Sequence, residues 1–302
     1  MKNKIIVAGA SGKLGGKIVA ALIGQGAEVK ALIRSGSNAS SLQPFIGKGV
    51  DIIEVDYNNR ETLAAACIGG TCVVSALQGL EDVIIKAQSN LLNAALSARV
   101  PRFIPSDYAV DFTEINSENR NFDLRRAFHK ILDASSINYT SIYNGAFADI
   151  LSYNTPILNL KNNTAGYWGD KADWLLDFTT MDDTATFTAA AALDATTPKK
   201  LCIASFQISP AQIKTVASEI TGEDFKLASM GSLEDFAAFN KQQRAADPES
   251  EKELYPRWQS GQYMYDQFTT HHKTLDNDRY PQLQWTGAQE FLTGLMQKMK
   301  RS

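Results

Sequence analysis

The feature that most constrains this chain is an apolar run, residues 5–8, that leads directly into a glycine-spaced turn. Gly9, Gly12 and Gly15 follow with the spacing G-x-x-G-x-x-G, and a helix-like segment begins at once. In a dinucleotide-binding fold one such glycine permits a tight turn, one lets the backbone approach a pyrophosphate, and one lets the helix pack closely on the strand. The pyrophosphate then lies on unpaired N–H groups at the positive end of the helix. The predicted contacts in this loop are Gly9, Ser11, Gly12, Lys13, Leu14 and Gly15.

The second predicted strand, residues 27–34, ends in Arg34, where the ribose of an adenosine should lie. Sites that prefer NAD usually carry an acidic residue there, about 20 residues beyond the glycines. A guanidinium offers planar, charge-assisted donors that suit a 2′-phosphate, and Lys13 adds a second positive charge. The alternative is a solvated arginine at a strand end. The sequence favours NADP(H) over NAD(H).

Continuous apolar strands alternate with helical segments along the first half of the chain, which is typical of a parallel sheet covered on both faces. We therefore predict an α/β fold with a doubly wound parallel sheet, a Rossmann fold, whose ligand lies at the carboxyl ends of the strands. After the first strand, the predicted strands are residues 27–34, 50–56, 71–77, 102–105 and 139–143. The predicted helices include residues 14–23, 63–66, 80–98 and 118–135.

The regular alternation stops near residue 150, where Asn, Thr and Trp replace it and the helical segments become short. We predict a nucleotide-binding domain over residues 1–150. Residues 151–302 are predicted to form mainly a smaller substrate-binding lobe, with segments that return to the sheet. The length of 302 residues, with 44% hydrophobic and 21% charged residues, is ordinary for a globular protein with one large core and a smaller lobe.

The composition also argues against several classes of function. A net charge of −3 lacks the basic balance that nucleic-acid binding needs. The sequence has no apolar run long enough to predict a membrane span. The first strand begins where a signal peptide would lie, so we expect a cytoplasmic protein. Cys67, Cys72 and Cys202 lack the spacing of metal ligands and are interpreted as reduced core thiols. The expected partner is a small-molecule substrate, with no metal, nucleic acid or membrane.

Several segments together resemble the isoflavone reductase-like and NmrA-like group of atypical short-chain dehydrogenase/reductases. The segments are residues 9–15 (GASGKLG), 32–34 (LIR), Gln88, 102–108 (RFIPSDY), 137–140 (INYT) and 144–147 (NGAF). The resemblance is most specific between residues 5 and 150. It implies an NADP(H)-binding monomer or homodimer with a cleft between a nucleotide lobe and a small carboxy-terminal lobe.

The resemblance also implies which residues line that cleft. Along the cofactor it places Ser75, Ala76, Leu77 and Gln78 after the fourth strand, and near the nicotinamide Pro105 and Ser106 after the fifth. For the substrate it implies Tyr108, Asn144 and Phe147. The cofactor positions also follow carboxyl ends of predicted strands, where ligands of such sheets bind. The alternative interpretation for each of these residues is an ordinary position in a loop.

The resemblance is weakest at the catalytic group. The reductase branch of the family carries a lysine on the helix after strand five, and alignment on residues 137–140 puts Arg125 at that position. An arginine stabilises developing negative charge, but its very high pKa makes it a poor proton donor. His129 lies one turn later on the same helix face and is a candidate donor, with a packing or surface role as the alternative.

Two classes of function are consistent with these observations. The first is an NADPH-dependent reductase of a small carbonyl, enone or quinone-like compound, aromatic compounds included. The second is a non-catalytic NADP(H) sensor of the NmrA type, which binds a protein partner. The aromatic carboxy-terminal lobe favours the enzyme, and Arg125 in place of lysine favours the sensor.

Overall fold

The computed structural model describes residues 3–115 and 118–299, and its centre is a six-stranded parallel sheet. In spatial order the strands are β3 (Val50–Val55), β2 (Glu28–Arg34), β1 (Lys4–Ala8), β4 (Cys72–Ser75), β5 (Arg102–Ile104) and β6 (Asn138–Tyr139). The order reverses between β1 and β4, and such a reversal opens a crevice at the carboxyl ends of the strands. The predicted doubly wound α/β fold is confirmed.

Both faces of the sheet are covered by helices, because successive side chains of a strand point to opposite faces. The helices are α1 (Lys13–Gly24), α2 (Arg60–Cys67), α3 (Gln88–Ser97), α4 (Arg120–Asp133) and α5 (Met181–Leu193). On one face Ile5 and Val7 of β1 pack in a core with α1 and α5. On the other face Ile6 and Ala8 pack in a core with α2, α3 and α4. Each fully buried isoleucine side chain stabilises the fold by about 1.5–3 kcal/mol.

The predicted helix over residues 80–98 has two parts in the structure. A π-helical turn, Asp82–Ala87, precedes α3, and Gln88 at the junction is fully buried. π-Helical turns are rare and concentrate at functional sites. The wider turn here places a buried glutamine under the sheet edge where the fourth and fifth strands end.

The predicted strand over residues 139–143 is also divided. β6 ends at Tyr139, and β7 (Ser141–Tyr143) pairs in parallel with β11 (Lys200–Cys202) instead of with β5. Thr140 N still donates to Phe103 O, whereas Ser141 N donates to Lys199 O. The chain therefore leaves the six-stranded sheet at Thr140 and joins a strand that lies about sixty residues further along the sequence.

The second half of the chain builds a smaller lobe around its own core. Its elements are β8 (Ala146–Phe147), β9 (Thr164–Tyr167), β10 (Leu176–Thr179), β12 (Phe206–Ile208), β13 (Lys226–Ser229), α6 (Pro210–Thr221), α7 (Leu233–Ala246), α8 (Arg257–Thr269) and α9 (Ala288–Met299). Strands β12, β10 and β8 form one sheet, and β13 pairs with β9. Leu151, Trp168, Phe178 and Phe268 are buried together in the core of this lobe.

Residues beyond 150 also contribute to the half of the protein that contains the six-stranded sheet. Helix α5 packs along α1, and Lys17 forms an ion pair of 2.6 Å with Asp182 across that contact. The buried guanidinium of Arg102 on β5 donates to the Ala191 and Ala192 carbonyl oxygens at the end of α5, and to the Thr197 hydroxyl. Arg102 therefore joins the sheet to the end of a helix that comes from the second half of the chain.

Removing the Arg102 guanidinium should destabilise the protein strongly. In Arg102→Met the two carbonyl groups at the end of α5 lose their charged donors while they remain buried, which costs about 3 kcal/mol. Urea denaturation measures the free energy of unfolding. The control is Arg60→Met, since Arg60 is exposed at the start of α2. Equal stability of the two variants would contradict this role of Arg102.

Candidate cofactor and substrate cleft

Two glycines of the turn after β1 are required by the packing of the protein itself. Gly9 has a φ of +75°, and a Cβ there would lie 2.7 Å from the Ala76 carbonyl oxygen. A Cβ at Gly15 would lie 2.1 Å from the Gly9 carbonyl oxygen. Neither distance is tolerated by a real Cβ, so both positions need glycine. Together the two glycines allow the start of α1 and the loop after β4 to pack against the glycine turn that follows β1.

Gly12 is constrained differently. It is the N-cap residue of α1, its backbone is extended, and no side chain caps the helix. A Cβ at Gly12 would contact only the Gly9 carbonyl oxygen, at 3.2 Å, and the residue is exposed. The first turn of α1 also holds no acidic residue. The N–H groups at this helix end therefore face open space beside the exposed Lys13, an arrangement that favours an anion.

The predicted contacts of the glycine loop lie along this open end. Gly12 and Lys13 are exposed, Gly9, Ser11 and Leu14 are half-buried, and Gly15 is buried. Arg34 is exposed at the carboxyl end of β2, and none of its side-chain atoms has a hydrogen-bond or ion-pair partner among the described residues.

Tyr57 is a residue of this edge that the sequence analysis missed. It is buried just beyond β3, and burial raises the pKa of its hydroxyl to about 12. The Gly9 backbone and the charge of Arg34 act in the opposite direction, so the hydroxyl lies close to both. Its position directly after the predicted strand over residues 50–56, at the ligand edge of the sheet, was the available signal.

Ser106 joins the loops that follow β4 and β5. Its hydroxyl donates to the Leu77 carbonyl oxygen at 2.7 Å, and its amide donates to Gln88 Oε1 at 3.0 Å. Gln88 is fully buried, and its Nε2 donates to the Ile84 carbonyl oxygen inside the π-helical turn. The neighbouring Ser75 is buried at the end of β4. The predicted cofactor-lining loops are therefore fixed to each other before any ligand binds.

The other predicted residues of these two loops differ in exposure. Leu77 and Pro105 are buried, Ala76 is half-buried and Gln78 is exposed. The side-chain amide of Gln78 donates to the hydroxyl of Tyr255, from the carboxy-terminal lobe. The loop after β4 thus contacts both halves of the protein.

Arg125, at the position that the alignment gives to the reductase lysine, lies beside Ser106. Its Nε donates to the Ser106 carbonyl oxygen and its Nη1 to the Asn121 carbonyl oxygen, both at 2.9 Å. The side chain is half-buried, and its Nη2 has no partner among the described residues. The guanidinium is therefore held in one orientation while one nitrogen keeps free donors.

His129 is held by a buried carboxylate. Its Nε2 lies 2.6 Å from Asp107 Oδ2, which also accepts from the Ser141 hydroxyl at 2.8 Å. Burial lowers the pKa of His129, but the charge and the hydrogen bond of Asp107, together with the charges of Asp133 and Asp111, outweigh that effect, and the pKa is raised. The ring also packs edge-on against Phe112. This geometry fits the packing interpretation of His129, although its role as a donor stays an untested prediction.

Two of the three residues predicted for the substrate are buried. Tyr108 is buried in the core under α5, and burial raises the pKa of its hydroxyl. Asn144 is fully buried, and its Nδ2 donates to the Thr184 hydroxyl at 3.1 Å. Phe147, at the end of β8, is half-buried. Their assignment to the substrate stays a prediction.

The carboxy-terminal lobe reaches the site through residues 251–255 and α8. Arg120 at the start of α4 donates to the carbonyl oxygens of Glu251, Glu253 and Leu254. Tyr263 of α8 accepts a hydrogen bond of 3.0 Å from Asn121 Nδ2. Sequence reasoning missed these contacts because they join residues more than a hundred positions apart.

A model of the NmrA-like family matches residues 1–252, which is most of the chain. The chain belongs to the NmrA-like family. The resemblance inferred from the sequence motifs is thereby confirmed. Among curated relatives, the isoflavone reductase homolog IRL of Zea mays is 30% identical over 156 residues, 49% of this chain and 50% of the relative. Pinoresinol reductase 2 of Arabidopsis thaliana is 26% identical over 214 residues, 66% of this chain and 67% of the relative.

Solved structures of reductases share the fold along nearly the whole chain. A structure of AtPrR2 with NADP⁺ and (+)-pinoresinol has a TM-score of 0.80 at 22% identity, covering 98% of this chain and 99% of its own. A complex of leucoanthocyanidin reductase from Vitis vinifera with NADPH has a TM-score of 0.79 at 18% identity, covering 97% and 100%. By sequence, this chain spans about half the length of the first curated relatives that it matches.

Two further observations concern the described residues as a whole. Within residues 3–115 and 118–299, no group of three or more His, Cys, Asp or Glu residues is placed to hold a metal ion. In the same part of the chain, no helix has the length and apolar character needed to cross a membrane.

Replacing Gly12 or Gly15 by valine should separate cofactor binding from folding. The extended backbone at Gly12 suits valine, and the nearest atom to its Cβ would be the Gly9 carbonyl oxygen at 3.2 Å, so the thermal midpoint without cofactor should fall only modestly. The side chain fills the space in front of α1, and NADPH affinity should fall at least tenfold. Gly15→Val, by contrast, should lower the midpoint strongly. Calorimetric titration and thermal unfolding measure the two effects, and full NADPH affinity in Gly12→Val would contradict the assignment.

Proposed function

We propose that this chain is an NADPH-dependent reductase of a small carbonyl, enone or quinone-like compound. The observation that carries the proposal is the position of Arg125, whose free Nη2 lies at the same sheet edge as the uncapped end of α1. One edge thus offers a place for a dinucleotide and a fixed positive charge at its reactive end. That combination suits the stabilisation of negative charge that develops on a substrate oxygen.

The residues at this edge fit NADP(H). The N–H groups of the first turn of α1 would hold the pyrophosphate, and the exposed Arg34 and Lys13 would hold the 2′-phosphate. The loops after β4 and β5 would hold the nicotinamide half, with Pro105 and Ser106 nearest to the ring. When bound, the cofactor supplies a hydride to the substrate. The solved relatives described as NADP⁺ and NADPH complexes support this cofactor.

The role of Arg125 follows from its hydrogen bonds. The two bonds to Ser106 and Asn121 fix the guanidinium, so little reorganisation is needed when charge develops near Nη2. An arginine does not release a proton at neutral pH, so the proton for the substrate oxygen must come from another group or from water. Arg125 therefore supplies electrostatic stabilisation, and a different group or water must donate the proton.

The expected substrate is a small molecule of aromatic character. Relatives named pinoresinol reductase, isoflavone reductase homolog and leucoanthocyanidin reductase act, by their names, on aromatic compounds, and they support this class. The cleft of this chain contributes Tyr255 and Tyr263, whose ring centroids are 6.4 Å apart. Aromatic side chains with a polar tip suit a substrate that combines rings with oxygen groups. We also propose that the protein is a monomer or homodimer in the cytoplasm.

A non-catalytic NADP(H) sensor of the NmrA type is the second candidate. The observation that favours it is Arg125 at the position of the reductase lysine. Under this alternative the same cleft binds NADPH, and a protein partner recognises the bound state. Screening aldehydes, enones and quinones for substrate-dependent loss of NADPH absorbance separates the two candidates. Turnover of a probe supports the reductase, and tight NADPH binding with no turnover supports the sensor.

Arg34 should determine the choice of cofactor. The unmodified protein should bind NADPH at least tenfold more tightly than NADH, because the guanidinium is free to pair with a 2′-phosphate. Arg34→Glu should abolish or reverse this preference. Lys48→Glu makes the same change of charge at an exposed residue before β3, at the opposite edge of the sheet. This control variant should keep the preference for NADPH. Calorimetry with both cofactors decides, and equal affinities in the unmodified protein would refute the prediction.

Arg125 should be needed for turnover but not for folding. Arg125→Ala should lower kcat by roughly 10²-fold or more, the scale for loss of one stabilising donor. Arg125→Lys should retain or raise activity, because a lysine also gives up a proton. The control is Arg126→Ala, which removes a neighbouring guanidinium that binds the Phe112 and Ile115 carbonyl oxygens. Unchanged turnover in Arg125→Ala would show that this catalytic assignment is wrong.

A further inference from the structure

The hydroxyl of Tyr263 is held at the cleft by a donor. Asn121 Nδ2 donates to Tyr263 Oη at 3.0 Å, and the ring packs edge-on against Phe122 with centroids 5.1 Å apart. Since Oη accepts this bond, its own proton remains free to be donated. No acceptor for that proton is present among residues 3–115 and 118–299. Tyr263 therefore offers an oriented proton that no group of the described chain uses.

Tyr263 and Arg125 are linked through one residue. The Asn121 carbonyl oxygen accepts from Arg125 Nη1, while the Asn121 side chain donates to Tyr263. Burial raises the pKa of Tyr263, and the charge of Arg125 is the next largest influence and lowers it. The phenol is therefore protonated at neutral pH, and the phenolate that remains after proton donation would be stabilised by a fixed cation.

We propose that Tyr263 is the proton donor of this site, the role that Arg125 cannot fill. The inference rests on the proposed function. The hydride supplied by the cofactor adds with its two electrons to the carbonyl carbon, and the π electron pair moves to the oxygen. That oxygen takes the proton of Tyr263 Oη, and the phenolate takes a proton back from water. Each turnover thus consumes one hydride and one proton and gives an alcohol.

The other candidates for proton donation are less suited. His129 Nε2 is committed to the buried Asp107, in an ion pair of 2.6 Å. Tyr255 is 53% exposed, and its hydroxyl is bound by Gln78 on the loop after β4. It makes no hydrogen bond to Arg125 or Asn121. Tyr263 alone among these three combines an orienting donor with the charge of Arg125.

Kinetics of Tyr263→Phe test the proposal. The probes are phenanthrenequinone, nitrobenzaldehyde and chalcone, with the one that the wild-type protein reduces fastest carried forward. Tyr263→Phe should lower kcat at least tenfold, remove the solvent deuterium isotope effect on kcat, and leave the Kd of NADPH unchanged. Tyr265→Phe, two residues along α8, is the matched control and should behave as wild type. Adding Arg125→Lys to Tyr263→Phe should restore part of the lost kcat, because a lysine can give up a proton.

A titration without cofactor tests the link between the two residues. The ultraviolet absorbance of tyrosinate is followed against pH, and the curve of Tyr263→Phe is subtracted from that of the wild type. The difference reports Tyr263, and it should move to higher pH in the Arg125→Ala background because a stabilising cation is lost. An unmoved difference curve overturns the proposal.

The kinetic outcomes distinguish this inference from the proposed function. If the wild-type protein reduces none of the probes while it binds NADPH, both the reductase and the role of Tyr263 are overturned. If it reduces a probe and Tyr263→Phe does so equally well, the role of Tyr263 is overturned and the reductase stands. If kcat of Tyr263→Phe falls while the isotope effect remains, Tyr263 has only a structural role, and the proposal is also overturned.

Discussion

The hydrogen bonds of Ser106 hold the parts of the cleft together. Its hydroxyl binds the loop after β4, its amide binds Gln88 at the start of α3, and its carbonyl oxygen binds Arg125 on α4. Each group is buried or half-buried, and a lost partner would leave a polar atom away from water at a cost of about 1–3 kcal/mol. Two loops and two helices are thereby fixed at one sheet edge. The orientation of the Arg125 guanidinium depends on this junction as well as on its bond to Asn121 within α4.

The central fold could be predicted because its signals are local. The spacing of Gly9, Gly12 and Gly15 and the apolar strands that alternate with helices are properties of short segments, and the structure confirms the doubly wound sheet. The division at Thr140 could not be predicted. It depends on Ser141 pairing with a segment near residue 200, and nothing in residues 139–143 indicates that partner. The return of α5 to the face of α1 is a long-range contact of the same kind.

In the candidate site, too, local features could be predicted from the sequence and long-range contacts could not. Alignment on a family motif put Arg125 at the position of the reductase lysine, and in the structure its Nε donates to the Ser106 carbonyl oxygen. Exposure, in contrast, depends on the surrounding packing, and Tyr108 and Asn144, which the resemblance places along the cleft, are buried. The sequence indicated an aromatic carboxy-terminal lobe but did not single out Tyr255 or Tyr263 as residues of the cleft. Their approach to Gln78 and Asn121 depends on how that lobe docks, which no local pattern encodes.

The docking of that lobe also fixes the relative position of the two groups proposed for chemistry. The Asn119 side chain caps α4, donates to Asp266 and accepts from Gln259, both on α8. Asn119 is fully buried, so separating α4 from α8 would expose a cap and break a polar cluster at once. Arg125 lies on α4 and Tyr263 on α8, so the contact that stabilises the start of one helix also sets the distance between them. Because α4 itself packs in the core against β1, this contact also holds α8, and with it Tyr263, at the sheet edge.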